Sequence, residues 1–189
     1  MRSTSKLPIV CLVALFVAGS ASAAVNVTLE AVGVDVVATV TGTANLTDLT
    51  YEDSGNFGGG GLSSSAGSFL VGTGEFDIYS LLPSIPFGPG GNFTSDSNTG
   101  SALGVFFYTT ITTLLVPADY ASGESLNATS TFNNKTIADI GATPGSYVWN
   151  WGTGANADSV TLTVVPESNT YAALAGIFAL ACVAMRRRK

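Results

Sequence analysis

Histidine is absent from the chain, and with it the commonest general base, the commonest metal ligand and every Ser-His or Cys-His nucleophile pairing. Cysteine is nearly absent: Cys11 and Cys182 both lie in apolar terminal runs. The stretch from Ala24 to Val165 therefore carries no thiol, no disulfide and no thiolate metal site. Positive charge is scarce as well. Between Ala24 and Val165 twelve Asp or Glu stand against one lysine, Lys135, a balance of −11. Nothing in such a body neutralises phosphate, so nucleic acid is excluded as a partner. The body also lacks any sustained helical stripe with caps.

What is present begins with two apolar ends, where the mean hydropathy of +0.40 originates. The start, MRSTSKLPIVCLVALFVAGSASAAV, has the three parts of a secretory signal. Arg2 and Lys6 form its positive region, Leu7 to Gly19 its apolar region, and Ala21-Ser22-Ala23 offers small residues at the cleavage site. Cleavage is expected before Ala24, which makes residues 1–23 a removable leader and residues 24–165 the exported domain. An isolated Cys11 in mid-run, preceded by Pro8-Ile9-Val10, does not fit a lipid acceptor and reads as a small apolar residue.

The body reads as β-structure. In VNVTLEAVGVDVVATVTG apolar residues alternate with polar or small ones through Val25, Val27 and Leu29, then run almost continuously to Val40, giving one or two half-buried strands. The segments SGNFGGGGLSSSAGSF (Ser54–Phe69) and PSIPFGPGGNFTSDSNTGSALG (Pro83–Gly104) have loop composition. Between them GSFLVGTGEFDIYSLL supplies strand material, and the run Val105–Val116 is the strongest strand on β-branched and aromatic content. Near the end, Tyr147, Trp149 and Trp151 share one strand face, GTGANAD is turn chemistry, and Val160, Leu162 and Val164 share one face of a returning strand. These patterns predict an all-β body, a single β-sandwich or jelly-roll-like domain.

Candidates for chemistry are few. Gly58 to Gly61 has neither a following lysine nor a strand-to-helix context, so a flexible loop outweighs a phosphate cradle. GTGEFD at Gly72 lacks the third glycine of a dinucleotide fingerprint and any helix after it. Paired carboxylates such as Glu52-Asp53, or Glu75 with Asp77 on one strand face, could in principle serve glycoside hydrolysis, and solvated acids are the favoured reading. SDSNTG (Ser95–Gly100) has the oxygen-rich look of a calcium loop without the Glu that would complete it. A structural calcium is thus the one cofactor left open, with a polar turn favoured. The row Tyr147, Trp149, Trp151 would either fill a core or offer a stacking platform to a polysaccharide, with the core favoured. Five Asn-x-Ser/Thr sequons begin at Asn26, Asn45, Asn92, Asn127 and Asn134, as many as chance supplies in so Asn-, Ser- and Thr-rich a chain.

The tail, VPESNTYAALAGIFALACVAMRRRK, gives a turn signal, an apolar run and four basic residues. On Val165-Pro166-Glu167, Thr170-Tyr171-Ala172, Leu174-Ala175-Gly176, the apolar continuation to Met185 and Arg186-Arg187-Arg188-Lys189, it resembles the PEP-CTERM sorting signal of bacterial exported proteins. Ser168 stands where that family usually has a second proline. More loosely, the stretch from Pro117 to Val164 is similar to the end of a common type of PEP-CTERM protein body. The resemblance implies export, an inner-membrane intermediate, an exosortase and the secretion machinery as partners, and release to the surface or exopolysaccharide matrix of a Gram-negative bacterium. It implies no enzymatic role. Residues 166–189 are then a sorting signal with a transmembrane helix and basic tail. Tyr171–Met185, 15 residues, makes about 22 Å of helix against about 30 Å of hydrocarbon, which suits a transient stop better than a durable anchor. The basic cluster would keep the C-terminus cytoplasmic.

Overall fold

A computed structural model describes residues 24–108 and 111–167. The leader's Ala21 and Ala23, the tail's Ser168 and the basic residues Arg186, Arg187, Arg188 and Lys189 lie outside them, as does the expected membrane helix. Among the described residues no helix is long and apolar enough to cross a membrane.

Alternation produces the first elements. β1 (Val25–Val32) and β2 (Asp35–Gly42) form an antiparallel hairpin in which Val25, Val27, Leu29, Val36, Ala38 and Val40 all turn to the same buried side. β3 (Tyr51–Phe57), β4 (Gly61–Ser63), β5 (Ser68–Val71) and β6 (Gly74–Leu82) follow, then β7 (Asn92–Thr94) and β8 (Ser97–Gly100) inside the stretch that reads as loop. The apolar run expected as one strand instead folds back on itself. It forms β9 (Leu103–Tyr108) and β10 (Ile111–Pro117), paired antiparallel with Tyr108 opposite Ile111. The physical reason is length. Twelve residues in one strand would extend about 40 Å, twice an ordinary strand. β11 (Leu126–Phe132), β12 (Gly145–Trp151) and β13 (Asp158–Val164) complete the chain, with a single 3-10 turn at Gly154–Asn156 between the last two.

These strands make two sheets, a six-stranded one in the order β12-β13-β1-β2-β11-β8 and a seven-stranded one in the order β3-β6-β10-β9-β5-β4-β7. The result is an all-β, two-sheet sandwich. The first and last long strands, β1 and β13, pair in parallel at the middle of the smaller sheet, Val25 beside Val160 and Leu29 beside Val164. The remaining strand pairs are antiparallel. One core joins the two inner faces, with Trp149 of β12 meeting Phe69 of β5 edge-on at 5.6 Å.

The two outer faces differ. That of the six-stranded sheet is hydroxyl-rich: Thr163, Thr28, Thr39, Thr129 and Thr99 follow one another across five strands in register, with Glu30 and Asp35 toward the β1–β2 turn. That of the seven-stranded sheet carries a second apolar cluster, Leu70, Phe76, Ala102 and Leu115, with Ile78 and Phe106 against it. The edge strand β3 carries Glu52 and Asp53, both exposed, which discourages edge-to-edge pairing.

Candidate functional site

The aromatic row faces inward. Its register, Tyr147 opposite Leu162, Trp149 opposite Val160 and Trp151 opposite Asp158, puts all three on the core side of β12. Trp149 is wholly buried, Trp151 is 7% exposed, and Tyr147 is half-buried against Phe87. Trp149 and Trp151 are thus core residues of this fold, and Tyr147 leans on Phe87, so the row does not form an open stacking surface. Trp151 Nε1 donates to the Asn45 carbonyl at 2.7 Å, while Trp149 Nε1 has no partner among the described residues.

Of the acidic candidates, Asp77 and Asp96 are engaged by backbone amides. Asp77 Oδ2 accepts from the Asp119 amide at 3.0 Å and so holds the turn after β10, where Asp119 adopts a positive φ of 59°. Glu75 is exposed. In the calcium-like stretch, Asp96 Oδ2 accepts from the Asn133 amide, and Asn98 Oδ1 takes three donors: Gly60 N at 2.9 Å, Ser95 Oγ at 2.7 Å and Ser130 Oγ at 2.5 Å. Ser130 Oγ in turn accepts from Gly72 N at 3.0 Å. This network ties β8 and β11 of one sheet to the loops of the other. Among the described residues no three His, Cys, Asp or Glu side chains come together as a metal site would need.

The glycine run is not slack. Gly60 sits so close to Ser130 Oγ, Asn98 Oδ1 and the Leu70 carbonyl that a Cβ would collide with all three, and Gly61 belongs to β4. Packing at Gly60, not flexibility, accounts for the missing side chain there. The run also walls an open cavity of about 580 Å³ on the outer face of the seven-stranded sheet.

Strand pairing builds this groove. Gly104, Leu70, Gly61 and Thr94 lie side by side across β9, β5, β4 and β7. Ser68, Ser63 and Asn92 form the next row on the same face, with Phe106 at the β9 end. Phe57, 40% exposed, overhangs that end, its ring 5.7 Å from Phe76 and 6.0 Å from Phe106. Ser68 Oγ is occupied, accepting from the Phe107 amide at 2.8 Å. Among the described residues no ionisable side chain lines the cavity. Sequence reasoning passed over this site, since its parts come from four separate segments, two of them of loop composition. The one local signal was Phe57 beside the glycine run.

Two carboxylates belong to the domain's folding chemistry. Asp158, 5% exposed, accepts from the Asn45 and Ser159 amides, both at 2.6 Å. Burial raises its pKa above the usual 3.8, and the two amide bonds pull the other way without cancelling the rise. A buried acid with a raised pKa binds its proton more tightly folded than unfolded. Its ionisation therefore removes stability as pH climbs from about 3.8 through the folded value. We expect the stability advantage of the wild type over Asp158→Asn to be greatest at about pH 3 and smaller at about pH 7, read by urea unfolding at both. An advantage that grows with pH would contradict this assignment. The second carboxylate is Glu167 of the tail: its Oε1 accepts from the buried Ile137 amide at 2.6 Å, and Pro166 beside it is half-buried. Pro166 and Glu167 thus lie folded against the body.

Comparison with known families, with characterised proteins and with solved structures found no match for this chain.

Proposed function

We propose that this is an exported, non-enzymatic protein of the cell surface or extracellular polysaccharide matrix of a Gram-negative bacterium. It would be delivered through a cleaved leader and through a C-terminal signal of the PEP-CTERM type recognised by an exosortase. The observation that carries the reading is the tail: Pro166-Glu167, the apolar run to Met185 and Arg186–Lys189 occur in that order and spacing. Three features support it. The sandwich begins at Val25, one residue past the expected leader cleavage, and its last strand ends at Val164, one residue before the tail. The body contains neither histidine nor cysteine, and Asp77, Asp96 and Asp158 are engaged by backbone amides. An acidic, thiol-free domain also suits life outside the reducing cytoplasm. The jelly-roll variant of the sandwich and the membrane helix of residues 166–189 belong to this proposal as well.

The test is fractionation of an exosortase-bearing host that expresses the full chain. The wild-type body is expected at the surface or in the medium. Glu167→Ala and deletion of Arg186–Lys189 are expected to hold it in the inner membrane or to mislocalise it. Release of both variants as efficiently as the wild type would sink the sorting role. Because Glu167 also caps the Ile137 amide, trypsin resistance of the variant domain is needed to separate a sorting defect from misfolding.

A further inference from the structure

The groove over β4, β5, β7 and β9 has the size and the lining of a ligand site that the sorting role leaves unexplained. Its volume of about 580 Å³ falls within the range of about 300–1,000 Å³ typical of small-ligand pockets. We propose that it binds neutral sugar residues of a polysaccharide. The proposal is independent of how the tail is processed.

Charge narrows the ligand first. Among the described residues no ionisable side chain lines the groove, so none of them is placed to neutralise a cation or an anion. The body around it carries twelve carboxylates and one lysine, which repels anionic glycans and nucleotides at long range. A neutral ligand remains.

Lining chemistry narrows it further. Strand alternation sends Leu62 and Phe69 into the core and leaves the outer face with two unlike sides. At one end are aromatic and aliphatic surfaces, Phe57, Phe106 and Leu70. At the other are the hydroxyl and amide groups of Ser63, Thr94 and Asn92, with only the Gly61 backbone between Leu70 and Thr94. A wholly apolar ligand would cover Ser63, Thr94 and Asn92 without giving them partners, which is costly. A sugar ring answers both sides at once: its C–H face packs on the aromatic wall while its hydroxyls meet the polar row. Three strand spacings separate Phe106 from Asn92, about 14 Å, and the open side lets a chain continue beyond the pocket.

The opposite face supplies the control. The threonine row of the six-stranded sheet is also hydroxyl-rich, but its threonines lie side by side across a sheet surface and none of them lines the groove. Thr39 and Thr129 are half-buried strand positions where valine keeps the β-branched shape, at the cost of the Thr129–Thr99 hydroxyl contact.

The experiment is calorimetric titration of the full chain, held in a zwitterionic detergent so that no glycoside detergent competes. The probes are hexasaccharides of β-1,4-glucan, β-1,3-glucan, α-1,4-glucan and mannan, with alginate oligosaccharide as the acidic comparison. At least one neutral hexasaccharide is expected to bind, and alginate at least about tenfold more weakly. Asn92→Ala and Thr94→Trp, both at exposed positions, are expected to weaken binding by about tenfold or more, the second by filling the groove. The pair Thr39→Val and Thr129→Val is expected to leave it unchanged. Several results would overturn the proposal: no neutral hexasaccharide binds, alginate binds equally well, the groove variants bind as the wild type does, or the threonine variants alone abolish binding.

Discussion

Trp149→Ala is expected to lower the unfolding free energy of the domain by about 3–5 kcal/mol, the usual cost of emptying a fully buried aromatic site. The indole has no solvent exposure and meets Phe69 across the two sheets, so no water or neighbouring loop can fill the space cheaply. The companion variant makes the cause visible. Trp149 Nε1 is buried without a partner among the described residues, and an unmade buried hydrogen bond costs about 1–3 kcal/mol. Trp149→Phe removes that donor along with part of the ring, and is expected to cost markedly less than Trp149→Ala. Equilibrium unfolding in urea reads both values. A loss under about 1 kcal/mol for the alanine variant would mean that the ring is not in the core.

Asn98→Ala is expected to cost about 2–4 kcal/mol, a large effect for a half-buried polar side chain. One carbonyl oxygen accepts from Gly60 N, Ser95 Oγ and Ser130 Oγ, and alanine leaves all three without it. Asn98→Asp keeps an oxygen at that place and is expected to retain most of the stability. If the two variants prove equally unstable, the amide nitrogen and not the oxygen matters. Hydrogen exchange locates the damage: the Gly60 and Gly72 amides, which depend on Asn98 and Ser130, are expected to lose protection first.

These effects show where local pattern was sufficient and where it was not. The β12–β13 hairpin was legible because its aromatic and aliphatic residues alternate over seven residues on each side of a Gly-rich turn, and the register joins Trp149 to Val160 as that alternation requires. The fold-back between β9 and β10 was not. Its bend falls in a run without Gly, Pro, Asn or Asp, so β-propensity continued straight through. β7 and β8 hid among Gly, Asn and Ser because short strands at a sheet edge need only backbone pairing and a few inward contacts. The direction of the aromatic row was beyond the sequence. Alternation assigns residues to a common face but does not say which face is covered, and coverage comes from Phe69, 80 residues earlier in the chain. The groove depends on the same long-range pairing. Ser63, Leu70, Asn92 and Phe106 have no common pattern in one dimension and become neighbours through the strand order β9-β5-β4-β7, and Phe57 reaches them from the end of β3.

The tail was the most explicit text in the chain, and the body adds one physical detail to it. Glu167 is held on the Ile137 amide, so a protease or transpeptidase acting close to Pro166-Glu167 meets that segment docked on a folded domain. Delivery by way of this tail is the central claim, and intact mass spectrometry of the exported form tests it most directly. The account predicts a chain that starts at Ala24 and lacks Tyr171–Lys189. An exported chain that still carries Tyr171–Lys189 would contradict it.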